Sequence, residues 1–470
     1  TSIKTQINAV RIFMSILSAQ TAQDNEPIES KAQLVKYHAS GAKPKNGVLI
    51  GTEHEKFVID KTTKQVVPYE GPNGIKALLQ GMMRYGFEPV LEGETIIGLM
   101  RGRESISLEP AGQYELSGAP LTTLHEMSDE LDRHISESTQ VADQLGVKFM
   151  PIGYHPTASA DELPWMPKGR YNIMRNYMPK VGKRGLEMMQ LTCTTQANLD
   201  FISEEDMIRK MRVSLALQPI VVALFANSPF AKGKLSGRLT ERFSVWADVD
   251  AARCGIIPFV FEEGYGFERY VDYALDVPMY FVYRDGKYID CSGQSFHDFM
   301  AGKLPALPGE KPLMFDYVNH LSTLFPDVRL KTYLEMRGAD VGNAAMIKAL
   351  PALWVGLLYD DKAFNQAEAL VKEWTVQQIE AMRRDVPGLG MSVIIGKQNL
   401  FSIAKQIVML AVQGLRRRAI RNAANMDETR YLEQLLTIVD VEQTEAERLM
   451  VLFNGTWNEN ISPVFDAVTL

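Results

Sequence analysis

The feature that most constrains this chain is a period-two alternation that keeps placing acids on one side. In 105-SISLEPAGQYELSG-118, Ser105, Ser107, Glu109, Ala111, Gln113, Glu115 and Ser117 fall on one side, and Ile106, Leu108, Pro110, Gly112, Tyr114 and Leu116 on the other. Successive side chains of a strand point to opposite faces. A strand here buries one face and lines the other with two carboxylates and an amide. In 51-GTEHEKF-57, the same test groups Glu53 with Glu55 and turns His54 away. In 189-MQLTCTTQANLD-200 it gathers Gln190, Thr192, Thr194, Gln196, Asn198 and Asp200. In 331-KTYLEMR-337 it gathers Lys331, Tyr333, Glu335 and Arg337 over Leu334 and Met336.

An antiparallel sheet with one wet face alternates this way without any function. Taken together, the acids argue for more. Glu53, Glu55, Glu109, Glu115 and Glu335 would repel one another if their strands were neighbours, and such a cluster calls for cations. Oxygen donors with no paired His or Cys suit Mg²⁺ or Mn²⁺. Carboxylate-bound Mg²⁺ that also engages phosphates is a common arrangement at ATP sites, with Arg337 facing phosphate oxygens beside Glu335. A basic stretch between Glu162 and Glu187 holds Lys168, Arg170, Arg175, Lys180, Lys183 and Arg184 with no acid. It reads as a loop over the mouth of a carboxylate-lined cavity. Arg242, with Trp246 nearby, is a further anion-binding candidate. His54 reads as a packed structural residue.

Strands are expected within 48–60, 105–117, 147–154, 188–201 and 328–337, with a hairpin at 280–291 around Asp285-Gly286. Capping boxes at Thr123/Glu126 and Thr444/Glu447, and N-caps at Ser203 and Thr375, open helices between and after them. The first two helices are expected to run to about Leu145 and Phe225. From about residue 343 the reading is mostly helical. The fold class is therefore α/β in the α+β sense: one mixed sheet with helices packed on one side. Residues 1–26 are expected as an N-terminal helical extension and 27–470 as a single catalytic domain. The first 23 residues contain no acid. That composition resembles a transit peptide, but an amphipathic helix is the preferred reading.

The net charge of −7 argues against a nucleic-acid partner. No apolar run reaches the ~18 residues of a membrane span. Cys193, Cys254 and Cys291 are too few and too far apart for a disulfide framework or a CxxC metal site.

The motifs 51-GTEHEKF-57, 108-LEPAGQYELSGAP-120, 166-MPKGRYNIMRNYMPKVG-182, 214-SLALQPIVVALFANSPF-230, 273-YALDVPMYF-281 and 333-YLEMRGAD-340 resemble the glutamate–cysteine ligases of plants and proteobacteria. The resemblance runs from about residue 27 to the end. It implies a glutamine-synthetase-like fold, a curved, mainly antiparallel sheet forming a funnel with helices outside. It implies ATP-dependent joining of L-glutamate, through an acyl phosphate on its γ-carboxylate, to the amine of L-cysteine, giving γ-glutamylcysteine, ADP and phosphate.

By the same resemblance, Glu53, Glu55, Glu109, Glu115 and Glu335 match the metal ligands. Arg170, Arg242, Thr195 and Ala197 match the glutamate pocket, which Gln196 and Trp246 would adjoin. Arg337 matches a nucleotide-phosphate contact. Lys168 and Arg175 are candidates for stabilising the transferring phosphoryl group. Thr195 fits badly, because alternation puts it on the apolar face. The partners implied are glutamate, cysteine and ATP, with glutathione as a feedback inhibitor, for a monomer or homodimer. Cys291 matches one cysteine of a regulatory disulfide in plant members, but its partner position is Ala306. The other pair falls on Met127 and Ala349. Neither bridge can form, which leads to the expectation of a bacterial, cytoplasmic enzyme. Two rivals remain: a ligase acting on another amine, and a carboxylate-cluster metallohydrolase. A catalytically silent paralogue is disfavoured by retention of all five Glu.

Overall fold

The alternating segments find one another. The structure, a computed structural model, describes residues 26–470, so the helix expected over residues 1–26 lies, but for Glu26, outside the described residues. Eight strands form the main sheet: β1 (Ile50–His54), β2 (Glu88–Glu92), β3 (Thr95–Arg101), β4 (Glu104–Leu108), β5 (Tyr114–Ser117), β6 (Thr195–Leu199), β7 (Val328–Leu330) and β8 (Leu334–Met336). Their order is β7-β8-β6-β1-β5-β4-β3-β2. Every neighbouring pair is antiparallel, so this sheet is not mixed.

Three segments expected as continuous strands are broken, each for a local reason. The 105–117 segment is a hairpin, β4 and β5, joined by a turn at 109–113. Glu109 N–H donates to the Gln113 carbonyl (2.9 Å), and Gly112 sits at φ +82°, which a side chain would strain. The 328–337 segment is likewise a hairpin, turning at 331–333. The 48–60 segment leaves the sheet after His54. Its second half, Phe57–Asp60, pairs instead with Val147–Met150. Residues 188–191 belong to a helix, not a strand.

Six helices bear on the site: α1 (Leu124–Leu145), α2 (Gly169–Val181), α3 (Gly185–Leu191), α4 (Glu204–Leu224), α5 (Glu241–Val245) and α6 (Ala344–Leu358). The capping box at Thr123/Glu126 is formed, and α1 stops at Gly146 with φ +69°. Ser203 caps α4 by accepting from Asp206 N–H. The boxes at Thr375 and Thr444 open two helices of the C-terminal portion. Helices α1, α4 and α6 pack on the sheet side that carries Ala197, Leu199, Leu334 and Met336, all fully or almost fully buried. Each such leucine stabilises the fold by about 2 kcal/mol over an exposed one. The opposite, polar side of the sheet is roofed by α2 and α3. The basic stretch is thus mostly helix, because Tyr171, Met174 and Met178 bury one face of α2 at spacings of three and four. Among the described residues, no helix is long and apolar enough to cross a membrane.

Candidate active site

Strand register gathers the acids. On β1, Glu53 lies between Ser117 of β5 and Gln196 of β6. On β5, Glu115 lies opposite Ser107 of β4. On β8, Glu335 lies between Asn198 of β6 and Arg329 of β7. Directly opposed residues share a face, so these rows bring distant parts of the chain to one surface. Above that surface is a cavity lined by Glu53, Glu55, Glu109 and Glu115 on one flank and by Arg329, Lys331 and Arg337 on the other. Arg170, Tyr171 and Met174 from α2, Arg242 from α5 and Trp246 just beyond it complete the wall.

The acidic flank is short of positive charge. Burial, then Glu115 and Glu335, push the Glu53 carboxyl up to about 7. Burial, then Glu109 and Glu115, push Glu55 well above the ordinary range. Glu115 is raised by burial and Glu109. A few neutral donors orient the set. Asn198 Nδ2 donates to Glu53 (2.8 Å), Thr194 N–H donates to Glu55 (2.8 Å), and Ser107 Oγ donates to Glu115. Among the described residues no three His, Cys, Asp or Glu side chains already converge as a ligand set. The donors nonetheless fit a hard divalent cation in type and in their unmet negative charge.

The basic flank is already matched. Glu335 is fully buried, ion-paired with Arg329 and with Lys331 Nζ (2.9 Å), and Arg337 stands 4.0 Å away. Burial alone would raise it, but Arg329, Lys331 and Arg337 hold it far below the usual carboxylate range. It is the one predicted metal ligand that does not line the cavity. Burial and neighbouring Arg329 lower Arg337 to about 10. Its Nη1 donates to Gln196 Oε1 at 3.0 Å.

Several other assignments change. Thr195 and Ala197 point away from the cavity: Ala197 packs in the apolar core, and Thr194 and Gln196 line the site in their place. Here alternation was the better guide. Lys168 is buried with its Nζ donating to the Leu108 carbonyl (2.7 Å), so it holds the end of β4 instead of facing a phosphate. Burial and Arg170 lower it to about 8. Arg175 is exposed, stacked 4.6 Å from the Trp165 ring, and does not line the cavity. Gln113 lines the cavity together with Glu109 and Glu115, as alternation placed it, and also ties the turn to the Met189 and Thr192 carbonyls, both at 3.1 Å. Arg329 escaped the sequence reading. Extending the alternation of 331–337 back by two residues reaches it.

The wider comparisons agree with this geometry. Residues 49–467 match glutamate-cysteine ligase family 2. The chain belongs to that family. The chloroplastic glutamate–cysteine ligase of Solanum lycopersicum is 50% identical over 442 residues, covering 94% of this chain and 83% of that protein. That of Arabidopsis thaliana gives the same figures. Ligase B of Oryza sativa subsp. japonica, also chloroplastic, is 48% identical over 447 residues, covering 95% and 88%. Among solved structures, glutamate–cysteine ligase from Francisella tularensis in complex with AMP superposes with a TM-score of 0.52 at 13% identity, covering 91% of this chain and 89% of that one. That likeness shows the fold. The expectation of a cytoplasmic enzyme is overturned, since these plant relatives of the ligase family are named chloroplastic. Missing disulfides were a poor guide to compartment. All three cysteines of this family member are free, and Met127 and Ala349 are simply core residues.

Proposed function

We propose that this cavity is where the ligase reaction occurs, with Glu53, Glu55, Glu109 and Glu115 as the seat of Mg²⁺ or Mn²⁺. The enzyme joins L-glutamate and L-cysteine into γ-glutamylcysteine, the first step of glutathione synthesis. ATP is the co-substrate, leaving as ADP and phosphate. Family membership sets aside the metallohydrolase and the ligase for another amine. Residues 27–470 act as one catalytic domain, supported by an apolar core that runs from Ile28 to Val439.

The observation that carries the site assignment is the opposition of an uncompensated acidic flank to a compensated basic one across a single cavity. The γ-carboxylate of glutamate is a poor electrophile, and phosphoryl transfer from ATP makes it an acyl phosphate that the cysteine amine attacks. A divalent cation held by Glu53, Glu55, Glu109 and Glu115 would supply charge neutralisation to the reacting anions. Arg329, Lys331 and Arg337 present donors to the transferring phosphoryl group, and Glu335 holds the three in place. Arg170 and Arg242 bind the glutamate α-carboxylate, for which a planar guanidinium is suited. Glutathione carries the same γ-glutamyl group, so it competes for this wall.

The test is ADP release from purified protein with Mg-ATP, adding glutamate and cysteine singly and together. Release that requires both supports the reading. Release with neither amino acid, unaltered by Glu115→Gln, would separate nucleotide hydrolysis from this cavity and defeat it.

A further inference from the structure

We propose that Asp340 is a positioning residue that aims Arg242 at the substrate carboxylate. The inference rests on the reading of Arg242 given above and goes beyond it.

Asp340 is buried to 1% exposure, out of the cavity, and no catalytic step calls on it. Its two oxygens accept from three groups. Ser228 Oγ donates to Oδ2 at 2.6 Å, the Asn227 N–H donates to Oδ2 at 2.9 Å, and Thr240 Oγ1 donates to Oδ1 at 3.0 Å. Two of these partners lead straight to Arg242. Thr240 caps α5, the short helix that carries Arg242, by accepting from Phe243 N–H at 3.2 Å. Ser228 Oγ accepts from the backbone N–H of Arg242 itself at 3.3 Å.

Asp340 also faces the guanidinium, with Arg242 Nη1 3.9 Å from its Oδ1. Among the acids it acts on Arg242 most strongly, ahead of Glu55. The guanidinium is completed by carbonyls of the strand end that leads to Asp340. Nη1 donates to Gly338 O at 2.9 Å, and Nη2 donates to Arg337 O at 3.1 Å. Arg242 Nε, buried, is left without a partner. Backbone and side chain of Arg242 are therefore both tied to one carboxylate, leaving a donor unmet. Gly153 completes the cradle: a Cβ there would lie 2.4 Å from Asp340 Cγ. Such support is what a carboxylate-binding arginine needs, since misplacement by about 1 Å can cost on the order of 100-fold.

The experiment is a double-variant cycle read in Michaelis constants for glutamate and for ATP. Arg242→Lys should raise the KM for glutamate by at least about tenfold, and Asp340→Asn by about tenfold with the KM for ATP within about twofold. Ser228→Ala removes one link only and should give about threefold, which keeps the test available if D340N folds poorly. If Asp340 acts through Arg242, D340N or S228A added to R242K changes the KM for glutamate by less than about twofold further. Effects that multiply in the double variants, or an ATP constant that rises in step, overturn the proposal for Asp340 alone. An unchanged glutamate constant in R242K overturns the assignment of Arg242, and the Asp340 proposal with it.

Discussion

Both flanks of the cavity rest on buried glutamates, and those glutamates end in opposite states. On one side Glu53, Glu55, Glu109 and Glu115 crowd together with only neutral donors to orient them, and the first two are pushed toward the protonated form. On the other, Glu335 is buried as deeply yet stays ionised because Arg329 and Lys331 are bound to it. Burial alone does not decide the charge of a carboxylate. What decides it is whether the fold supplies the counter-charge or leaves that to a ligand. On the proposed reading, the first arrangement is completed by a cation. The second is finished, and serves to hold cations of its own.

The contrast is broken most sharply by removing one acid from each flank. Glu115→Gln should lower turnover by at least about 100-fold while leaving the ligand-free protein as thermostable as before or more so, because it relieves repulsion. Glu335→Gln should act on stability first. It leaves Arg329 and Lys331 buried without their partner, at a cost of about 3–5 kcal/mol, and the melting temperature should fall. Thermal melts of both variants give the comparison directly; a fall in both would erase it.

The pH dependence sharpens it further. Glu53 has its carboxyl raised to about 7 in the folded chain. Between the unfolded value and 7 the native state binds more protons than the unfolded one, so this group's contribution to stability falls as pH rises. Glu335 is shifted the other way. Its contribution is present above the unfolded value and is lost only as pH falls toward its depressed native value. The rise in melting temperature on adding Mg²⁺ should therefore grow from pH 5 to pH 8, as Glu53 gives up its proton. A Mg²⁺ effect that is flat across this range would count against the acidic flank as the seat. The smallest effect belongs to Arg175→Ala. Arg175 lies outside the cavity, so kcat/KM should stay within about twofold of the parent.

Much of this was readable from sequence, though not always by the right route. Glu109 and Glu115 do reach one cavity, but as parts of a hairpin. Alternation passes through a turn of this length without changing sides, which hid the break at Pro110–Gly112. The same blindness hid the turn at 331–333, and with it the pairing of Arg329 with Glu335. Caps were legible because they depend on residues three apart, as at Thr123 and Glu126. By its charges alone the basic stretch reads as a loop, whereas the Tyr171, Met174, Met178 spacing makes it a helix. Whether a glutamate is paired or bare depends on strands far apart in the chain. Neither period nor composition reports that, so the opposite fates of Glu53 and Glu335 needed the structure.

The most direct measurement is Mn²⁺ binding to the nucleotide-free enzyme at pH 8, followed by electron paramagnetic resonance, for the parent, Glu115→Gln and Glu335→Gln. The account predicts that Glu115→Gln binds at least about tenfold more weakly, whereas Glu335→Gln, if folded, stays within a few-fold of the parent. Unchanged affinity in Glu115→Gln, or a larger loss in Glu335→Gln, would contradict it.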